Sequence, residues 1–314
     1  MHLLQRLRGR DERSLSQLRR RVVAPAAQVA AHVNYRHAYH AGNFADVVKH
    51  LALVALLSHL KKKDKGFRVI DTHAGRGLYD LVGDEAARTG EAAQGIARLH
   101  ALVPHDGYPE SLKTYLDVVQ NSGEGRYPGS PLIAARLLRP QDRLIAIEKH
   151  KDEFAVLSAT LSPYRNATAE QADGYARLAA LLPPPERRGL VLIDPPYEAA
   201  DEFARVGTAV GGALRRFATG IYLIWFPVKS KSEVDRFCGE IVAAGAAKAL
   251  RIDTEVEAKA NIKEKIGDKE RLARAGIIVV NPPYGFADEM NTAFSIVATP
   301  LAARTELAWL AGES

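Results

Sequence analysis

The chain of 314 residues is 47% hydrophobic and 25% charged, which suits a soluble globular protein with one large domain or a domain carrying an elaboration. No uncharged apolar run approaches the roughly 18 residues that a bilayer crossing needs. A single cysteine, Cys238, excludes an internal disulfide framework and suits a reducing cytoplasm.

Of the net charge of +6, residues 1–32 carry +5, through seven arginines against one Asp and one Glu, so the remainder is nearly neutral. A nucleic-acid partner must therefore be met by local basic patches, such as Lys61-Lys62-Lys63 with Lys65 and Arg68, or Arg215-Arg216. The leader shares the charge of a mitochondrial transit peptide but not its serine richness or its freedom from acids. It is expected to be a flexible, dispensable extension, with the folded domain spanning 33–314.

Past the leader, helix-like and strand-like patterns alternate, which predicts an α/β protein with a mostly parallel sheet. Asn43 is placed to cap a helix through FADVVKHLALVALLSHL. FRVIDTHAGRG reads as a strand entering a glycine loop. Residues 80–128 break the rhythm and are too long for a connection, so a small helical insertion is expected there. PGSPLIAARLL is a helix with Ser130 near its start and Pro131 at an early position, where proline is tolerated.

DRLIAIEKH is a strand ending at Glu148, and KDEFAVLSATL is a helix. ATAEQADGYA gives a short strand ending at Asp173, and YARLAALL a helix stopped by three prolines. GLVLIDPPY is a strand followed by a helix to about Phe217, then the strand GIYLIWFPV. SEVDRFCGEIVAAG is a helix in which Cys238 is a packing residue. AKALRIDTEVE and GIIVVNPP are expected to close the sheet as an antiparallel pair around a charged loop at 258–275.

In an open parallel sheet the ligand lies beyond the carboxyl ends of the strands, where strand order reverses. Those ends deliver DTHAGRG, IEKH, ADG and DPPY. Gly75 and Gly77 allow close approach of the backbone to a ligand. Glu148 is placed to accept two ribose hydroxyls, and Asp173 an exocyclic amine of adenine. This set fits a dinucleotide or S-adenosylmethionine. The loop lacks the third glycine of a dinucleotide fingerprint, and the insertion separates it from its acidic partner. A nicotinamide dehydrogenase is therefore disfavoured.

Asp194-Pro195-Pro196-Tyr197 suits methylation of an amine on a base, whose lone pair is delocalised into the ring. Hydrogen bonds to the Asp194 carboxylate and the Pro195 carbonyl turn that lone pair toward a methyl donor and stabilise the growing charge on nitrogen. Proline fixes the backbone there and removes competing donors. Tyr197 offers a stacking face for an extruded base. The near-copy Asn281-Pro282-Pro283-Tyr284 is expected to be a rigid turn, because an antiparallel last strand opens on the opposite edge. His37, His40, His50 and His73 lack thiolate partners or an H-E-x-x-H pattern, so no metal is expected. Asp46 and His50 share a helical face beside Lys49, which could close over cofactor or base.

With these residues assembled, the chain from Asn34 onward resembles the 23S ribosomal RNA adenine-N6 methyltransferases of the large-subunit methyltransferase J type. The resemblance rests on YRHAYHAGNFADVVKH, DTHAGRG, RYPGSPLIAARLL, Glu148, the ADG at 172–174 and RRGLVLIDPPYE. It implies a Rossmann-like, class I S-adenosylmethionine-dependent fold of seven strands, mostly parallel with an antiparallel last strand and a small helical insertion.

The resemblance also implies cofactor contacts at His50, His73, Ser130, Glu148 and Asp173, catalysis by Asp194 with Pro195 and Tyr197, and a contact from Tyr35 to RNA. The partner it implies is 23S rRNA, expected to be protein-free or an early assembly intermediate; the chain itself is read as cytoplasmic, with no membrane partner and with a monomer as the default state. The leader and Arg76, between the two glycines, depart from the family pattern. A DNA adenine methyltransferase is the alternative, weakened by the lack of a spare recognition domain. A binding protein that lost turnover is opposed by the intact Asp194-Pro-Pro-Tyr.

Overall fold

The structure, a computed structural model, describes residues 40–82, 91–257, 265–266, 269–270 and 272–312. The leader, Tyr35, His37 and most of the charged 258–275 loop lie outside the described residues.

The first helix, α1 (Phe44–Lys61), is capped by Asn43, whose side chain accepts from the Asp46 N–H at 3.0 Å. It is buried almost all round, because it lies between the sheet and three other helices. Strand β1 (Arg68–Asp71) then leads through the glycine loop into an inserted segment. That segment is closed by a two-stranded ribbon, β2 (Leu78–Asp80) against β3 (Arg126–Pro128), and contains helix α2 (Glu110–Gln120). EAAQGIARLHAL, read as helical, forms two short 3-10 turns.

Helix α3 (Ser130–Leu137) has Pro131 in its first turn and is followed by β4 (Arg143–Glu148), α4 (Lys151–Leu161) and β5 (Ala167–Gln171). β5 stops two residues short of Asp173, which instead caps α5 (Gly174–Leu181). The chain continues with β6 (Gly189–Ile193), α6 (Glu202–Arg216), β7 (Ile221–Pro227), α7 (Lys231–Ala243) and β8 (Ala249–Val256). Two short strands, β9 (Lys265–Ile266) and β10 (Lys269–Glu270), pair with each other before β11 (Arg274–Val280). Helix α8 (Phe286–Leu301) and strand β12 (Ala303–Ala311) complete the described chain.

The main sheet has eight strands in the order β12-β8-β11-β7-β6-β1-β4-β5. Pairings from β5 across to β7 are parallel, and β11 runs antiparallel to both β7 and β8. Seven strands are therefore as expected, and the eighth is an addition: β12 pairs antiparallel to β8 along its whole length. β12 follows α8 through the single left-handed residue Ala302 (φ 49°), so neither a glycine nor a proline marks the turn.

Alternate residues of each central strand enter two separate cores, as a two-faced buried sheet requires. Val69, Leu144, Leu190, Leu192 and Leu223 face α1, α3 and α8. Ile70, Ile145, Val191, Ile193 and Ile224 face α5, α6 and α7. Strand order reverses at β1, whose neighbours are β4 and β6. The carboxyl ends of those three strands carry Asp71, Glu148 and Asp194 to one rim.

Candidate active site

The glycine loop leaves β1 at Asp71, and Gly75 and Gly77 both adopt positive φ, 62° and 82°. A side chain at Gly75 would lie 2.2 Å from the Tyr79 hydroxyl, so the turn is closed to other residues by packing as well as by backbone. Two carboxylates tie the loop. The Gly75 N–H donates to Glu148 Oε2 at 2.9 Å, and Arg76 makes two hydrogen bonds to the Glu153 carboxylate, at 2.6 and 2.7 Å. Glu148 Oε1 accepts from the His150 N–H at 2.6 Å. Its carboxyl thus bridges the loop and the next helix, and burial raises its pKa against the pull of these two N–H groups.

Asp71 is 1% exposed. Its Oδ2 accepts from the Ser130 hydroxyl at 2.7 Å, while Oδ1 is buried with no hydrogen-bond partner among the described residues. Burial pushes its pKa up to about 7, aided by the nearby charge of Asp194 and opposed by the Ser130 bond and by Lys49. An acid held protonated by folding stabilises the fold below its ordinary value and loses that contribution as pH rises through the folded value. The wild-type chain is therefore expected to lose stability between about pH 4 and pH 7 relative to Asp71→Asn. Unfolding midpoints measured across that range check it, and parallel curves for the two proteins would show that Asp71 is not desolvated.

The second cluster is built from α1 and the end of β6. Lys49, 3% exposed, donates to Asp46 Oδ1 at 2.8 Å and to Asp194 Oδ2. Asp46 Oδ2 in turn accepts from the Gly42 N–H at 2.9 Å. Burial pulls the Lys49 pKa down, but the charges of Asp194 and Asp46 outweigh it and hold the ammonium protonated above the usual lysine value. The sequence reading placed Asp46 and Lys49 beside the site but missed this bridge. The signal was an Asp–Lys pair three residues apart in the first half of a mostly apolar helix, next to His50.

Other expected residues take up protein partners. His50 Nδ1 lies 2.7 Å from the Tyr127 hydroxyl, with the two rings stacked. His73 Nδ1 lies 2.8 Å from the Thr72 hydroxyl, and its ring meets Tyr175 edge-on. Burial pushes the His73 pKa down to about 4, against the pull of Asp173, so the imidazole is neutral at pH 7. Asp173 Oδ1 caps α5 through the Tyr175 and Ala176 N–H groups, and its Oδ2 accepts from Lys149 at 2.9 Å. Burial would raise its pKa, but those hydrogen bonds hold it below the usual carboxylate range.

Tyr197 sits at φ 49°, the left-handed corner that ends Asp194-Pro-Pro. Its hydroxyl donates to the Trp225 carbonyl at 2.9 Å, and its ring packs against Phe203 and Trp225. The residue is 8% exposed and belongs to the second core, so it anchors the corner. Asn281 lies at the end of antiparallel β11, on the opposite rim, where its Nδ2 donates to the carbonyls of Ala218 and Gly220. Tyr284 there is 89% exposed. Tyr35 lies outside the described residues.

The donor set fits S-adenosylmethionine: its two positive charges meet a rim of carboxylates that includes an orphaned buried oxygen on Asp71. Residues 64–311 match a family model described as "RsmJ: Ribosomal RNA large subunit methyltransferase D, RlmJ". The chain is similar to "Ribosomal RNA large subunit methyltransferase J" of Escherichia coli, 41% identical over 263 residues that cover 82% of this chain and 90% of that relative. The protein of the same description from Haemophilus influenzae is 39% identical over 264 residues, with the same two coverages. Among solved structures, a Legionella pneumophila protein is 33% identical with a TM-score of 0.76, covering 86% of this chain and 98% of that one.

Proposed function

Because the chain belongs to the RlmJ family of ribosomal RNA large-subunit methyltransferases, we propose that it methylates the exocyclic N6 amine of an adenine in 23S rRNA. S-adenosylmethionine supplies a methyl already activated by its sulfonium, so the protein's work is alignment and electrostatics. The observation that carries the reading is a single carboxylate, Asp194, held at the end of β6 beside the glycine loop by a buried lysine.

In this reading one N–H of the amine donates to Asp194 and the other to the Pro195 carbonyl. The nitrogen then pyramidalises, so its lone pair is withdrawn from conjugation with the ring and directed at the methyl, and the proton shed on methylation passes to Asp194 or onward to water. Lys49 holds that carboxylate through a buried ion pair and fixes its plane. His50, His73, Ser130, Glu148 and Asp173 are assigned to the cofactor, Glu148 toward the ribose and Asp173 toward the adenine. The Lys149 bond on Asp173 is exposed and exchangeable, which leaves the carboxylate available to an incoming amine. Tyr197 and Tyr35 are assigned to the target base and RNA.

We further assign a cytoplasmic monomer acting on protein-free RNA or an early assembly stage. Among the described helices none is long and apolar enough to cross a membrane, and the one cysteine is free. Labelled S-adenosylmethionine offered with protein-free 23S rRNA and with duplex DNA is expected to label the RNA, with N6-methyladenosine as the product nucleoside. Label on DNA alone, or on neither, rejects the reading.

A further inference from the structure

The face opposite the catalytic rim, at the amino ends of the parallel strands, carries a concentration of positive charge that the reaction does not use. The turn from α1 into β1 holds Lys61, Lys62, Lys63 and Lys65. Two arginines fasten its backbone from below. Arg139 donates to the carbonyls of Lys61 and Lys63 at 3.2 and 3.0 Å, and Arg188 donates to those of Leu60, at 2.9 Å, and Lys65.

Arg139 is itself held by Asp142, which is fully buried. With the backbone fastened, the side chains of Lys62, Lys63 and Lys65 are exposed, and none makes an ion pair among the described residues. The one carboxylate in the turn is Asp64, also exposed.

The field there is net positive. His59, in the last turn of α1, has its pKa lowered by burial first and then by Lys62, Lys63 and Arg188, against Glu289. Lys61 is likewise lowered by burial and by Arg139, against Asp142. The chain beyond residue 32 is nearly neutral overall, so this charge is local rather than a share of a general excess.

We propose that the Lys61–Lys65 turn is a second RNA-contacting surface, which grips the phosphate backbone of ribosomal RNA flanking the target adenine. This rests on the ribosomal RNA reading of the catalytic rim. β6 is five residues long, which sets the two rims roughly 17 Å apart. A hairpin short enough to end within that distance of the catalytic rim does not reach the turn, whereas a long structured RNA can. Phosphate contacts of this kind position the RNA and carry no sequence information.

The test compares wild type with the triple variant Lys62→Ala, Lys63→Ala and Lys65→Ala. It measures binding of a long protein-free 23S rRNA fragment, and of a short hairpin containing the target adenine, across a salt series. Each phosphate contact contributes roughly 0.7–0.9 to the slope of log affinity against log salt. The triple variant is therefore expected to bind the long fragment more weakly, with a slope smaller by about 2–3. Hairpin binding, cofactor binding and melting temperature stay at wild-type values, and the corresponding triple Lys→Arg variant recovers the slope.

An unchanged slope on the long fragment overturns the proposal and makes the turn a solvated face. Equal loss on the hairpin overturns it too, by assigning the lysines to the catalytic rim. Lysine-dependent binding to anionic phospholipid vesicles with an unchanged RNA slope makes it a membrane contact instead. Binding is read rather than methyl transfer, so a wild-type chain that methylated no RNA would sink the functional reading and leave this question answered on its own terms.

Discussion

Asp194→Ala is expected to lower kcat for methyl transfer by at least about a thousandfold, while Asn281→Ala leaves it near the wild-type value. The two residues head near-identical motifs, so the comparison isolates position from chemistry. Asp194 ends a parallel strand, beside the glycine loop and within reach of a buried ammonium. Asn281 ends an antiparallel strand on the far rim, with its amide already committed to two backbone carbonyls.

The aspartate has two tasks that alanine removes together: it directs the nitrogen lone pair, and it balances the positive charge that grows on that nitrogen. Losing a single preorganised hydrogen-bonding group of this kind typically lowers rate by 10²–10³, and the lost charge adds to it. Asn281→Ala carries a different penalty. Asn281 has a φ of 55°, and alanine in the left-handed region costs about 1–2 kcal/mol. Its melting temperature should fall while its turnover does not. Single-turnover rates on 23S rRNA with saturating cofactor read the difference, and a silent Asn281 variant beside an active Asp194 variant would invert the assignment of the two motifs.

The sheet was legible in the sequence because its strands are apolar runs punctuated by glycine, proline or an acid, and those punctuating residues are the ones at the rim. Asp194, Glu148 and the glycine loop were found that way. Three features were not. β12 alternates in exposure as an edge strand does, but it follows α8 through Ala302 with no glycine between them, so its start is unmarked in the sequence. Asp173 was assigned to a strand end, but its side chain competes for the next helix's N–H groups, and capping ended the strand two residues earlier. The bridge from Lys49 to Asp194 was hidden for a more general reason. A lysine in an apolar helix reads as a surface position until the fold shows the helix buried on every side. Its partner across the site lies 145 residues away, which no local pattern reports.

That buried lysine carries the second large effect. Lys49→Met is expected to lower both stability and turnover, because it leaves Asp46 and Asp194 facing each other without the ammonium between them. Removing one partner of a buried ion pair typically costs about 3–5 kcal/mol, and here two carboxylates lose the same counter-charge. Stability and catalysis can be separated through Asp46, which bonds Lys49 and the Gly42 N–H. In the double variant Lys49→Met, Asp46→Asn, one excess negative charge is gone, so part of the lost melting temperature should return. Turnover should not return, because Asp194 still lacks the donor that fixes its plane. If the double variant regained activity along with stability, Lys49 would be a structural cation whose distance from the reacting nitrogen is incidental. If it regained stability only, the ammonium belongs to the reaction, acting through the carboxylate it holds.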